Sequence, residues 1–481
     1  MYWDEASLGY NAYSIATTLR DEHGEFLPIQ RFIAFGDYKP PAYIYAAAAS
    51  IKVLGLSEFS IRFPSALAGT LLVLVTYYLV KMLKPVQHDK AALIAAAVLA
   101  ISPWSLQMSR AAFEGNLATF FSGLGILLFI KAVNTRKLLL YFLASIFLIL
   151  SMYTFNSHRV FVPLITIALS LIYFKELIQQ KRNFLLFLVS CILFLLPLLP
   201  YAMTRESRLR FEETSWTTDL GPIETSNSRI ALDGGNILAN LVHNRRVVYS
   251  LEFLQHYTDN FKVDFLFFTG DINPRLSTGK VGEMYLIELP FLLAGIYYLI
   301  KNRSKASAVI FAWLLLAPIP AALARETPHA LRFLNVLPVP QIITAIGLVK
   351  LLNLKLLKYL VITLYLVSCL LYLKDYYLNY PNRSATEWQY GYKQMVNQVS
   401  KIENNYKCVS VTEDAGRPYI YFLLYKQYPP EKYRATRNAD RDWFGFWTVH
   451  SFDKYSFGSN LDPKQCLRID YVDNQFVISG I

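Results

Sequence analysis

The chain has 481 residues, of which 54% are hydrophobic and only 17% charged, with a mean hydropathy of +0.30. A soluble domain carries about 25% charged residues, so this balance excludes an ordinary soluble fold. The net charge of +12 would suit nucleic acid, but the basic residues fall in short clusters between apolar blocks, the pattern that orients membrane helices. No RNA-binding motif and no basic run interleaved with aromatics is present, so no nucleic-acid partner is expected.

In chain order, Tyr2-Trp3-Asp4-Glu5 comes first and sets two adjacent carboxylates beside aromatics, ahead of an amphipathic run from Ala6 to Thr18. Taken alone, this pair also reads as an acidic helix start. Gly36-Asp37-Tyr38-Lys39-Pro40-Pro41 follows. The apolar stretch Pro41–Leu54 is shorter than the roughly 20 residues a span needs, and is expected to lie as a helix along the membrane surface. Counting it as a span would move the Lys81–Lys90 cluster outside.

The apolar blocks predict about ten membrane helices. They fall near Arg62–Val80, Ala91–Gln107, Leu117–Ala132, Leu138–Tyr153, Val160–Phe174, Phe184–Tyr201, Met284–Ile300, Ala306–Ala324, Leu331–Val349 and Leu356–Leu373. The connections alternate in character. Lys81–Lys90, Arg136–Lys137, Lys175–Arg182, Lys301–Lys305 and Lys350–Lys358 are basic and are expected on the cytoplasmic side. Met1–Ile61, Ser109–Asn116, Thr154–Arg159, the long Met203–Glu283 segment, Arg325–Ala330 and the tail after Lys374 are then extracytoplasmic.

The polar, Tyr-rich tail from Asp375 to Ile481 reads as a small α/β domain. Glu387–Ile402 has helical spacing, while Cys408–Thr412 and Tyr419–Leu424 look like short strands bounded by Gly416 and Pro418. Cys191 and Cys369 lie in apolar blocks and are expected to be inert. Cys408 and Cys466 lie in the tail, where a disulfide and unpaired burial are both open readings.

The ordered set Asp4-Glu5, then Lys39-Pro40-Pro41, then Leu54-Gly55-Leu56-Ser57-Glu58 and Arg62-Phe63-Pro64-Ser65-Ala66 resembles the first outer loop and second membrane helix of the GT-C glycosyltransferases. Within them it is similar to protein O-mannosyltransferases and bacterial aminoarabinose-transferase-like enzymes. The match covers Trp3–Leu72, and the rest of the chain by helix order. The resemblance implies an all-α polytopic membrane protein of GT-C fold with a small C-terminal extracytoplasmic α/β domain. Its parts are a first outer loop at 1–61, a transmembrane domain at 62–374 that includes the 203–283 loop, and the tail domain at 375–481.

The implied reaction passes a monosaccharide, mannose or another hexose, from a polyprenyl-phosphate donor to a protein, lipid or glycan hydroxyl, with inversion. An attacking hydroxyl must lose its proton to a base within hydrogen-bond reach. By the resemblance Asp4 takes that role, and Glu5 supports it or binds substrate. The leaving phosphate needs cationic or N–H donors. Lys39 matches the family's loop lysine, and Arg325, His329 and Arg332 lie in the late outer loop where relatives carry basic residues. Lys39 also reads as a lysine snorkelling from a helix end, and the arginines as headgroup anchors. Asp37 and Glu114 are candidates for the acceptor or a second acidic site. Glu114 also reads as a helix-start carboxylate neutralised by Arg110.

Tyr38 stands where aminoarabinose-transferase-like members have a carboxylate, so no metal site is expected, although a divalent metal stays open as a cofactor. A transporter or flippase of lipid-linked saccharides is the alternative reading, but transporters place their charges at mid-membrane on broken helices, whereas the candidates here gather in outer loops. GT-C relatives carry an outward-crossing helix just before the Asp-Glu loop, and the basic loops call for the same crossing. A segment of about 20–40 residues is therefore expected ahead of Met1, which translation of the upstream DNA tests.

Overall fold

The computed structural model describes residues 1–35, 37–86, 90–205, 207–208, 221–352, 354–441, 447–458 and 466–480, with the side chain of Asp37 also outside the description. The chain divides into two compact units. One joins residues 1–67, 110–114 and 376–481; the other holds 68–109 and 115–375.

In the first unit, helix α1 (Trp3–Thr18) carries Asp4 and Glu5 in its first turn. Tyr2 gives this helix no side-chain cap. Instead Gln389 of the tail accepts the Trp3 N–H at 2.7 Å, which satisfies one of the donors a helix start leaves open. Strands β1 (Phe32–Ala34) and β2 (Asp37–Lys39) form an antiparallel hairpin. Pro41 then opens α2 (Pro41–Leu54), a position where its missing N–H costs nothing. Helix α3 (Glu58–Leu83) begins four residues before the expected Arg62. Gly9 of α1 meets Ile61 so closely that a Cβ there would sit 2.4 Å from the Ile61 Cδ1 atom.

The tail domain has a six-stranded mixed sheet among the described residues. Its strands are β3 (Cys408–Val411), β4 (Asn438–Arg441), β5 (Trp447–Phe452), β6 (Tyr455–Phe457), β7 (Cys466–Val472) and β8 (Gln475–Gly480), in the order β4-β5-β6-β3-β7-β8. Central β3 runs parallel to both β6 and β7. Cys408 pairs with Cys466 in that register and the two form a disulfide, which closes the choice left by the sequence.

Tyr419–Leu424 is a correction: it is helical, in Tyr419–Tyr425, and buried from Tyr419 through Leu424. An unbroken apolar run fits a buried strand and a buried helix equally, and Pro418, with φ −65°, presets the helical start. The Glu387–Ile402 pattern becomes a helix only from Tyr392, after Gly391 takes φ +110°.

In the second unit every expected apolar block contains a helix. Among the described residues five helices are long and apolar enough to cross a membrane: Glu58–Leu83, Glu114–Thr135, Lys181–Ala202, Lys305–Ala322 and Lys355–Arg383. A sixth is added if Lys90–Ile101 and Pro103–Arg110, bent by 54° beside Pro103, count as one span. Leu138–Met152, His158–Ile172 and Val339–Leu351 are shorter, as is Leu289–Lys301. The Leu331–Val349 expectation is corrected at its start. A turn and a 3-10 segment (Leu334–Val336) come first, and the helix opens at Val339 between Pro338 and Pro340.

Leu289–Lys301 and Val339–Leu351 lie backbone to backbone through two glycines. A Cβ on Gly295 would fall 2.1 Å from the Ile343 carbonyl oxygen, and one on Gly347 would fall 1.9 Å from that of Phe291. Small residues give membrane helices this close approach. The long 203–283 segment holds helices Gly221–Leu232, Ile237–Val242 and Arg245–Asp259.

Candidate active site

The first unit assembles four of the expected residues. The Asp4 side chain keeps 27% of its surface exposed, and its Oδ1 accepts a hydrogen bond from Lys39 Nζ at 2.8 Å. Lys39, nearly buried at the end of β2, also stands 3.7 Å from Glu114 Oε1. One ammonium thus lies beside two carboxylates. Glu114 does head its helix, as the plainer reading held. The cation beside it is Lys39; Arg110 lies over the rings of Tyr376 and Trp388, 4.9 and 5.6 Å from their centroids. Asp37 opens β2, and its side chain lies outside the described residues.

Glu5 is held quite differently from Asp4. It is fully buried and takes a forked pair of hydrogen bonds from Arg62, Nε to Oε1 and Nη2 to Oε2, both at 2.7 Å. The Ala112 N–H adds a third donor to Oε1 at 2.9 Å. Planar guanidinium and carboxylate match in this fork, which fixes both groups. Glu5 therefore ties α1 to α3 and to the 110–114 segment, while Asp4, one residue earlier on the helix, faces the accessible side. Sequence reasoning quoted Arg62 only as part of a motif and missed its partner. A cation at the head of an apolar span was the available signal.

The aromatics flanking the motif wall this region. Tyr2 meets Trp388 edge-on at 5.6 Å and Phe113 at 6.2 Å, and Trp388 Nε1 donates to the Tyr380 hydroxyl at 2.7 Å. Among the described residues no group of three or more His, Cys, Asp and Glu is placed to hold a metal ion.

The second unit holds Arg325, His329 and Arg332 together on the loop between Ile319–Ala322 and Leu334–Val336. Arg325 is exposed, and Arg332 and His329 are half-buried. Asp271 fastens this loop: its Oδ2 accepts the Ala330 N–H at 2.6 Å and its Oδ1 the Asn273 N–H at 2.8 Å. Thr327 donates to Asp259 Oδ2 at 3.0 Å from the same loop. Burial, reinforced by the Arg332 charge, depresses the His329 pKa to about 3, so the imidazole is neutral at ordinary pH. Its Nδ1 accepts the Arg332 N–H at 3.3 Å, which leaves the ring proton on Nε2. His329 thus offers an N–H and not a positive charge.

Behind the loop, Glu283 is buried and accepts the Asp271 N–H at 3.1 Å. Burial, then the Asp271 charge, holds the Glu283 pKa well above the usual carboxylate range, and burial also raises Asp271 against the pull of its two backbone N–H donors. An acid raised on folding contributes stability below its unfolded pKa and loses it as pH rises through the folded value. Glu283→Gln is expected to melt like the parent below about pH 4, the unfolded Glu range, and increasingly above the parent as pH rises, as differential scanning fluorimetry across pH would record. Parallel pH profiles would show that Glu283 does not titrate this way.

Comparison with known proteins agrees with this architecture. Residues 38–201 match the family described as dolichyl-phosphate-mannose-protein mannosyltransferase. A putative mannosyltransferase of Bacillus subtilis, YkcB, is 33% identical over 111 residues, 23% of this chain and 15% of that protein. The crystal structure of apo ArnT from Cupriavidus metallidurans superposes with a TM-score of 0.51 at 11% identity, covering 87% of this chain and 79% of that one. The archaeal oligosaccharyltransferase AglB from Archaeoglobus fulgidus, solved with an inhibitory peptide and a dolichol-phosphate, gives 0.45 at 14% identity over 88% of this chain and 59% of its own. This chain therefore spans only part of the length of YkcB and AglB. The chain thus shares the fold of ArnT, its residues 38–201 match the mannosyltransferase family, and five of its described helices are long and apolar enough to cross a membrane.

Proposed function

We propose that this protein is an inverting glycosyltransferase that moves a hexose, with mannose the leading candidate, from a polyprenyl phosphate to a hydroxyl of a protein, lipid or glycan on the outer membrane face. The observation that carries the reading is the contrast between neighbouring carboxylates. Glu5 is buried and locked by three donors, while Asp4 beside Lys39 keeps 27% of its side-chain surface exposed. The description of the matching family supports a polyprenyl-phosphate mannose as donor.

In this mechanism the Asp4 carboxylate takes the acceptor's proton as the hydroxyl oxygen attacks the sugar's anomeric carbon. The bond from that carbon to the phosphate oxygen breaks, and the polyprenyl phosphate leaves with the electron pair. Lys39 keeps Asp4 ionised and oriented, and Glu5 positions the helix start that carries it. Lys39, Arg325 and Arg332 supply positive charge to the phosphate, and His329 supplies an N–H.

Replacing Lys39, Arg325 or Arg332 by Gln is expected to weaken donor binding by about 1.5–3 kcal/mol each, the range for hydrogen bonds to charged groups. Titration of the protein in lipid nanodiscs with a polyprenyl-phosphate sugar measures this, and equal affinity in all three variants would remove them from the site. The activity itself is tested by incubating purified protein with a panel of radiolabelled polyprenyl-phosphate sugars. Transfer of label from none of them would refute the reading.

A further inference from the structure

In the second unit the long 203–283 segment grips the late basic loop, and the grip gives that segment a role. From Arg325 to Phe333 the chain forms no helix or strand, so its buried backbone groups need partners from elsewhere. Ala330 finds both of its own in side chains. Asp271 Oδ2 accepts its N–H at 2.6 Å, and its carbonyl accepts the Trp104 indole N–H at 3.1 Å. Glu283 joins these two partners to each other. Its Oε1 accepts the Asp271 N–H at 3.1 Å, and its carbonyl accepts the Trp104 backbone N–H at 3.3 Å. Ala330, Asp271, Glu283 and Trp104 thus close a ring of hydrogen bonds, and all four are buried.

The hold extends to both sides of Ala330. Asp259 Oδ2 accepts the Thr327 hydroxyl at 3.0 Å, and Asn260 Oδ1 accepts the His329 N–H at 3.4 Å. Beyond them the Phe333 ring packs on Trp104 and Phe261, with centroids 5.5 and 5.7 Å apart. Arg325 and Arg332 therefore flank a stretch that is pinned at Thr327, His329 and Ala330. A guanidinium that meets an oxyanion as a fork needs a fixed direction of approach, and a backbone already held loses less freedom when it binds.

We propose that residues 259–283 are the scaffold of the phosphate-binding loop, and that Asp271 is its positioning residue, acting on the donor only through Arg325 and Arg332. Asp271 leaves 5% of its side-chain surface exposed and commits both oxygens to backbone N–H groups, Oδ1 to Asn273 and Oδ2 to Ala330. It is placed to hold backbone and not ligand. Trp104 serves the same loop from the helix Pro103–Arg110, and ties it to the membrane-spanning part of the unit. The donor's share in this rests on the function proposed above; the clamp on the loop does not.

The test uses the full chain in nanodiscs and two variants that keep the shape of the side chain. Asp271→Asn offers one acceptor oxygen for two backbone N–H groups, and Trp104→Phe keeps a ring and loses the donor to Ala330. Hydrogen–deuterium exchange of the peptide holding 325–333 reads the clamp without donor, and titration with polyprenyl-phosphate mannose reads binding. In each variant exchange is expected to quicken by about tenfold or more, and donor affinity to fall by a similar factor. Melting curves accompany both, and Trp104→Phe decides the matter if Asp271→Asn misfolds. In Asp271→Asn/Arg332→Gln the loss of affinity should fall short of the product of the two single losses, because residues of one network couple; a merely structural Asp271 would give the full product. The proposal is overturned by that product, by parent-like exchange in the folded variants, or by a loosened loop that binds donor as the parent does while Arg332→Gln does not. Should Arg325→Gln and Arg332→Gln both bind donor like the parent while Asp271→Asn exchanges faster, the phosphate reading fails and the clamp stands.

Discussion

Asp4→Asn is expected to lower turnover by roughly 100-fold or more while donor binding survives, because the amide keeps the shape of the carboxylate and loses its basicity. The expectation depends on Asp4 being the accessible member of the pair, with 27% of its side-chain surface open and Lys39 at 2.8 Å. Single-turnover transfer from a labelled donor separates the chemical step from binding. A variant that turns over at the parent's rate would take Asp4 out of the mechanism.

Arg62→Leu is expected to cost about 3–5 kcal/mol of stability, the range for stripping one partner from a buried ion pair. The loss arises because Glu5, with no exposed surface, would lose both Arg62 bonds, leaving the Ala112 N–H as its one remaining donor among those described. Removing both charges, in Glu5→Leu/Arg62→Met, should recover much of this, since an apolar pair of similar volume does not carry the desolvation penalty. Denaturant or thermal unfolding in detergent measures the difference. If Arg62→Leu is as stable as the parent, the forked pair contributes nothing. Activity falls in either variant through displacement of Asp4, and raising substrate concentration should not restore it.

Much of the helical layout was legible from hydropathy, because a span must be apolar along its whole length and leaves a strong local signal. Breaks inside apolar blocks were not. The helices on either side of Ser102, the second opening at Pro103, are bent by 54°, and Pro338 and Pro340 delay another helix, effects that a window average smooths over. Tyr419–Tyr425 failed as a strand because its run is buried all round and carries no period to read. In the site, the Asp4-Glu5 and Lys39 motif stood out by residue type and order. The division of labour between Asp4 and Glu5 did not, since it depends on Arg62 and the Ala112 backbone, distant in sequence. The Asp271–Glu283 support of the late loop has the same long-range character.

The first unit is stitched from three separate stretches, 1–67, 110–114 and 376–481, and this sets a timetable for biosynthesis. At ribosomal speeds of about 5–20 residues per second, roughly 15 s to a minute separates the emergence of residue 67 from that of residue 376. Throughout that interval the Trp3 N–H lacks Gln389, and Ser14 and the Asp21 carbonyl lack Arg434. The opening segment must wait for these partners until the last hundred residues arrive. A nascent chain halted before the tail should accordingly be cut in residues 1–61 by an added protease that spares the same segment in the finished protein.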